Sequence, residues 1–358
     1  MFIVDYNKGY ITGLLSGIMM SLIVLLTACS EGDVIAENHG SSLHISSVSR
    51  VSGDITHVTE GSIKLYVMTE DEKFSEGTFS TGWTNDNNSV HVGEKAQYYI
   101  YGFMPSDIAK NKTISKPSNG GSYASGADVV LEGLPMFPND DICVVVGVQK
   151  VDATQTVEAY TEPIEGNYSF LSGLNNENYV NLLMDHLYSQ LILQFNVDEE
   201  YNMLRHIKLK TITLNSSYGE KVNATIKFRT GNSLGANTVV YSKNTDADSG
   251  DTESLEILKS TDSDVLLTTT ANDVVFGPIN CAPCTFDADG NNLTLTCTYD
   301  VYNTSETEIL RHNCTATNRL KVAGMDHGIK KRLTITIAPT YLYNLSDDDL
   351  NNPIMTIE

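Results

Sequence analysis

The segment LTITIAPTYLYNLSDDDLNNPIMTIE, Leu333 to Glu358, sets the fold class of this chain. Leu333, Ile335 and Ile337 alternate with Thr334 and Thr336, the period-two pattern of a strand with one buried face. Pro339 follows, then an aromatic pair (Tyr341, Tyr343), an acidic turn and a last short extended piece, Ile354 to Ile357. A terminal strand of this kind folds back on its own domain or adds to the open sheet edge of another chain. Nothing in the segment offers catalytic chemistry.

The same alternation recurs upstream. Ile63, Leu65 and Val67 alternate with Lys64, Tyr66 and Met68; Gln97 to Phe103 (QYYIYGF) is rich in aromatics; Leu43 to Val48 is a weaker extended segment in a Ser-rich region. Ile142 to Val148 is apolar on both phases, so it predicts a strand covered on both faces. A second series starts near Asn181: Leu191 to Val197, Val222 to Phe228, Leu293 to Tyr299 and Leu333 to Ile337. Between Ile207 and Leu214 the apolar phase moves by one, which predicts a bulge near Lys210 and Thr211. The best helix candidate is short, Asp198 to Leu204. With no sustained helical stripe, the chain reads as all-β, in two sandwich domains of residues 51–180 and 181–358.

The sequence has 358 residues and a formal charge of −22, from 45 acidic and 23 basic side chains. A field of that sign repels phosphate, so nucleic acid is excluded as a partner. Residues 1–28 form a lipoprotein signal peptide: an apolar run from Ile11 to Leu26 leads into Leu26-Thr27-Ala28-Cys29, a lipobox, and that run is short for a membrane span. Cys29 is then the lipidated first residue of the mature chain, which tethers it to a membrane. Ser30-Glu31-Gly32-Asp33 loosely matches an acidic surface-export tag.

Of six cysteines, five remain: Cys143, Cys281, Cys284, Cys297 and Cys314. Export permits disulfides, and an odd count leaves at least one thiol free or paired between chains. Cys281-Ala282-Pro283-Cys284 lacks the strand-to-helix setting of a redox motif, and Cys297 and Cys314 lack the second close pair of a zinc site. These cysteines are read as structural or partly disulfide-bonded, with Cys297 facing a core in phase with Leu293, Leu295 and Tyr299. The eight histidines are scattered, with no HxH, HxxxH or HExxH pair, and read as isolated surface or core residues. Asp246 to Asp251 and Asp347 to Asp349 lack calcium-loop spacing. Trp83 and the tyrosines read as core or cross-strand residues before a sugar platform. No metal, cofactor or catalytic residue is expected.

The wording TIAPTYLYNLSDDDLNNP resembles the closing segment of the fimbrillin, or Mfa-like, proteins, the type V pilins and related surface lipoproteins of Bacteroides-type bacteria. Further points of resemblance are the lipobox Cys29, Arg50 after a short strand-like segment, Tyr101-Gly102-Phe103-Met104-Pro105, and the stretch from Met184 to Ile207. The resemblance implies two transthyretin-like β-sandwich domains, a propeptide-like segment 29–50, and Arg-specific cleavage between Arg50 and Val51. That cleavage would open a groove for a neighbour's C-terminal donor strand, matched here by Ile354, Met355, Thr356 and Ile357. The function implied is a fimbrial (pilus) subunit, structural and adhesive, at the outer membrane and cell surface. Its partners would be other pilin subunits and a host or bacterial surface ligand. Thr356 and Glu358 make the donor piece short and polar, so stalk, tip and anchor positions stay open. The alternative is a non-polymerising surface lipoprotein that binds glycan or host protein.

Overall fold

The computed structural model describes residues 41–51, 56–85, 90–152, 162–173, 178–235, 238–246, 250–286, 292–320, 325–338 and 354–357. It is all-β, with 58% of residues in strands and 5% in helix, as the recurring period-two pattern requires. Strands β1 to β23 are numbered in chain order.

The first sheet contains β1 (Ser41–Val51), β2 (Thr56–His57), β3 (Ile63–Met68), β4 (Phe74–Ser80), β5 (Thr84–Asn85), β6 (His91–Val92), β7 (Gln97–Met104), β10 (Cys143–Val151), β11 (Ser169–Leu171) and β12 (Asn178–His186). Its order is β2-β1-β12-β10-β7-β3-β4-β5, with β11 on β7 and β6 on β1. A four-stranded sheet covers one face, in the order β16-β15-β9-β8: β8 (Asn111–Ser115), β9 (Gly126–Pro135), β15 (Lys221–Arg229) and β16 (Val239–Lys243).

Strand β10 shows why a segment apolar on both phases belongs in the middle. Val144 and Val146 enter a core with Tyr66, Tyr101, Phe103, Leu131 and Phe228. Cys143, Val145 and Val148 enter a second core on the opposite face with Leu43, Leu65, Ile100 and Leu182. Gly102 of β7 faces Leu65 of β3, and a Cβ there would lie 2.6 Å from the Lys64 carbonyl oxygen. The glycine in the YYIYGF run is therefore fixed by the approach of a neighbouring strand. Trp83 packs on the second core, and Tyr101, Tyr168 and Phe228 cluster in the first, so these aromatics build the interior.

The other sandwich packs the sheet β19-β13-β22-β23 against β17-β14-β20-β21, with β18 on β14. These are β13 (Ser189–Val197), β14 (His206–Ser216), β17 (Glu253–Leu258), β18 (Val265–Leu266), β19 (Val274–Cys281), β20 (Leu293–Tyr302), β21 (Ile309–Arg319), β22 (Lys330–Ala338) and β23 (Ile354–Ile357). Leu333, Ile335 and Ile337 point into its core beside Leu193, Phe195, Leu214 and Cys297. The register of β14 on β20 shifts between Leu209 and Thr211, the bulge expected from the phase change. Helix α1 (Glu199–Asn202) bridges β13 and β14, capped by Asp198, whose carboxylate accepts from Tyr201 N at 3.1 Å.

Strand pairing crosses the division drawn at residue 180. β12 spans that position, and β15 of the later half of the chain pairs with β9 of the earlier half, with β16 paired on the outer side of β15. A cut there would sever a strand and split a hydrogen-bonded sheet. Period-two strands carry no mark of which sheet they join, so composition could not reveal this exchange. Phe137 packs against both the sandwich core of residues 191–337 and the core over β9, tying the two together.

Candidate functional site

Strand β1 is the element on which the proposed cleavage depends. Leu43, Ile45 and Val48 are 1%, 7% and 1% exposed, on one apolar face against Val180, Leu182 and Met184 of β12. The phase moves from odd to even positions because the register on β12 shifts between Ile45 and Ser47. β1 runs parallel to β12 from Leu43 opposite Asn178 to Val51 opposite Asp185. Its outer side pairs with β6 at Ser41 and Ser42 and with β2 at Ser49 and Arg50.

The polar residues of β1 also bind. Ser47 Oγ donates to Asn181 Oδ1 at 2.7 Å, Asn178 Nδ2 donates to Ser41 Oγ, and the His44 ring stacks on Tyr179 with centroids 4.8 Å apart. The segment that reads as a weaker strand from its Ser-rich composition is firmly held, because its serines are hydrogen-bonding partners of buried asparagines on β12.

Arg50 pairs through its backbone with both β12 and β2, and its side chain is held as well. Arg50 Nη1 lies 3.0 Å from Asp141 Oδ2, with the two side chains 22% and 14% exposed. His186 Nδ1 lies 2.6 Å from the same oxygen. Cys143 Sγ is 3.7 Å from Asp141 Oδ2 and 3.9 Å from His186 Nδ1. Burial pushes the Cys143 thiol well above its ordinary pKa, and the Asp141 charge adds to that while Arg50 opposes it. Arg50 Nε and Asp141 Oδ1 are buried with no hydrogen-bond partner.

Of the residues predicted from sequence, Cys29 lies outside the described residues. Arg50 and Val51 end β1, opposite Met184 and Asp185 of β12. Ile354, Met355, Thr356 and Ile357 form β23, antiparallel to β22 of the same chain, with Ile357 opposite Ile335 and Ile354 opposite Ala338. The two ends are thus in different sheets. Tyr341, Tyr343 and Asp347 to Asp349 lie outside the described residues.

Among the described residues no disulfide joins the cysteines, which corrects the partial disulfide reading. Cys281, Cys297 and Cys314 are buried in the second sandwich, while Cys284 packs on the first core. Cys297 faces the core as its phase predicts. Asp246 and Asp251 are engaged by Lys110 and Lys243. His186 is not isolated: it belongs with Asp141 and Cys143, a grouping the sequence conceals because only the β10–β12 register brings it together.

No protein-family profile matches the chain, and no curated protein sequence does. Solved structures do resemble it. A fimbrial protein from Bacteroides vulgatus is 14% identical, with 88% of this chain and 97% of that one covered and a TM-score of 0.36. A candidate cell adhesion protein from Bacteroides fragilis is 11% identical, covering 90% and 91%, with a TM-score of 0.38. The fimbrial anchor protein Mfa2 from Porphyromonas gingivalis is 10% identical, covering 89% and 97%, with a TM-score of 0.32. These three are fimbrial and cell-adhesion proteins of Bacteroides-type bacteria. At these identities and scores the likeness does not by itself assign a role to this chain.

Proposed function

We propose that this chain is a subunit of a surface filament of the fimbrillin, or Mfa-like, kind, structural and adhesive rather than catalytic. In this reading it is exported as a lipoprotein anchored in the outer membrane through Cys29, and proteolysis between Arg50 and Val51 removes β1 together with the lipid. Strand exchange follows, with the tail around Ile354 to Ile357 as donor and other subunits as partners. The observation that carries the proposal is that the segment ending at Arg50 is a full strand filling a core. Its departure would leave unpaired backbone groups along β12 and an apolar trough where Leu43, Ile45 and Val48 now sit, and an open edge of that kind is an association site.

Two constructions of the experiment test it. Arg-specific digestion of the purified protein should give a chain beginning at Val51 that forms oligomers. The same digestion of a chain ending at Asn351 should give monomers. If both stay monomeric after complete cleavage, polymerisation through this tail is wrong. Lipidation is tested separately: Cys29→Ser should abolish palmitate labelling and signal-peptide processing, and normal labelling of that variant removes Cys29 from the scheme.

A second reading, a non-polymerising surface lipoprotein that binds glycan or host protein, is favoured by one feature. β23 already closes the edge of its own sheet. Retention of lipid and of residues 30–50 on protein recovered from cells would select it.

A further inference from the structure

The Asp141, Cys143 and His186 side chains converge from two adjacent strands. Cys143 and His186 are directly opposed in the antiparallel β10–β12 pair, and Asp141 stands two residues before Cys143. Their donor atoms, one oxygen, one sulfur and one nitrogen, all lie within 4.8 Å of one another. We propose that these three residues form a binding site for a divalent transition cation of the zinc class, and that Arg50 competes with the cation for Asp141.

The donor chemistry and spacing support this. Mixed nitrogen, sulfur and carboxylate donors suit zinc, and bonds of about 2.0 Å to N or O and about 2.3 Å to S place tetrahedral ligands roughly 3.3–3.6 Å apart. The sulfur-to-oxygen and sulfur-to-nitrogen separations of 3.7 and 3.9 Å are within a few tenths of that. The 2.6 Å contact between Asp141 and His186 is a hydrogen bond, and there the cation takes the place of the proton. That pair must open by roughly 0.7 Å to reach ligand spacing. Asp141 Oδ1, buried and unpartnered, gives the carboxylate a second face with which to adjust. Three protein ligands leave a fourth position for water, and Asp141 and His186, 14% and 15% exposed, give it access.

Binding requires two protons to leave the donor atoms: the Cys143 thiol releases its proton to solvent, and the proton of the Asp141–His186 hydrogen bond leaves that contact for solvent or for His186 Nε2, which frees Nδ1 to ligate. A dication with one thiolate and one carboxylate is a neutral set. Arg50 then loses its counter-charge 3.0 Å away and is repelled. In the intact chain Arg50 thus holds the site closed, and its removal opens it, whether by mutation or by loss of β1. The first route does not depend on the filament reading.

Cobalt(II) is the probe, titrated into the purified full chain and followed by thiolate-to-cobalt charge-transfer absorption. Arg50→Gln should bind one equivalent with that absorption, at least about ten-fold more tightly than the unmodified chain, and zinc should displace it. Adding Cys143→Ser should abolish the band. Arg50→Ala serves as a second variant if the glutamine chain is unstable by circular dichroism. The inference is overturned if neither Arg50 variant shows the band, if the band survives Cys143→Ser, or if the unmodified chain binds as tightly as the variants.

Discussion

Leu43→Ala should make the Arg50–Val51 bond far easier to cut. β1 is flanked by paired strands on both sides at Arg50, and the Arg50 side chain is paired with Asp141, so a protease that needs an extended, accessible substrate must wait for β1 to peel away. Leu43 is 1% exposed, and truncating such a side chain costs about 3 kcal/mol. When opening and closing are fast relative to cutting, the rate follows the open population, so about 3 kcal/mol becomes roughly a 100-fold faster cleavage. Asp141→Asn removes a half-buried ion pair intermediate between surface and interior cases, worth about 1.5 kcal/mol, and should accelerate cutting roughly ten-fold. Leu333→Ala is the control, since Leu333 is equally interior but lies in the other sandwich. The assay is the rate at which a Val51 N-terminus appears under limiting Arg-specific protease, read by mass spectrometry. Local release predicts a change below about two-fold for Leu333→Ala. If Leu333→Ala accelerates cutting as much as Leu43→Ala, protection comes from global stability and β1 is not an independent plug. If Leu43→Ala changes the rate less than about three-fold, β1 does not shield Arg50 at all.

Gly102→Ala should destabilise the protein by about 1–3 kcal/mol, because the added Cβ meets the Lys64 carbonyl oxygen 2.6 Å away on β3; chemical denaturation checks it, and a neutral result would mean that β3 and β7 separate freely. Glu306→Gln tests the acid dependence of the other sandwich. The hydrogen bond from Lys208 and the nearby His206 hold the Glu306 carboxyl below its ordinary pKa, so its contribution is present above the ordinary glutamate range and is lost as pH falls through the depressed value. The variant should therefore be slightly less stable than the parent at pH 7, with the gap closing at acid pH, and thermal melts that show a gap widening toward acid would refute the assignment.

Much of the fold could be read from local pattern. The doubly apolar β10, the bulge in β14, the short helix after Asp198 and the inward Cys297 each follow from side-chain periodicity over a few residues, which is a property of the local chain. What the sequence hid depends on register and on long-range pairing. Leu43, Ile45 and Val48 occupy different phases until the bulge at Ile45 and Ser47 aligns them, so the strand looked weak. Asp141, Cys143 and His186 become neighbours only because Cys143 falls opposite His186, and a one-residue slip would turn one of them to the other face. The pairing of β15 with β9, which carries β16 into the same sheet, is likewise invisible, since such alternation would serve any half-buried sheet.

The two ends of the chain differ in what they can hold, and that bears on how such a subunit would assemble. β1 spans eleven residues and meets β12 along most of its length, whereas β23 spans four. At about 3.3 Å per residue, four residues cover about 13 Å, roughly half of the run from Leu43 to Arg50. The apolar contribution is unequal too. Three buried side chains of β1 are worth on the order of 5–8 kcal/mol, and a four-residue donor offers at most two on one face. Extending the donor backward brings in Pro353, which has no N–H to give to a ladder. In addition, β23 must first abandon its four pairs with β22. Strand exchange between identical copies therefore starts from a deficit on both sides, while a longer donor from a different subunit would fill the vacated trough at no such loss. On the filament reading, the oligomers that the Val51 chain forms through its own tail should therefore be weak, and a longer donor strand from another subunit should displace Ile354 to Ile357 from the trough.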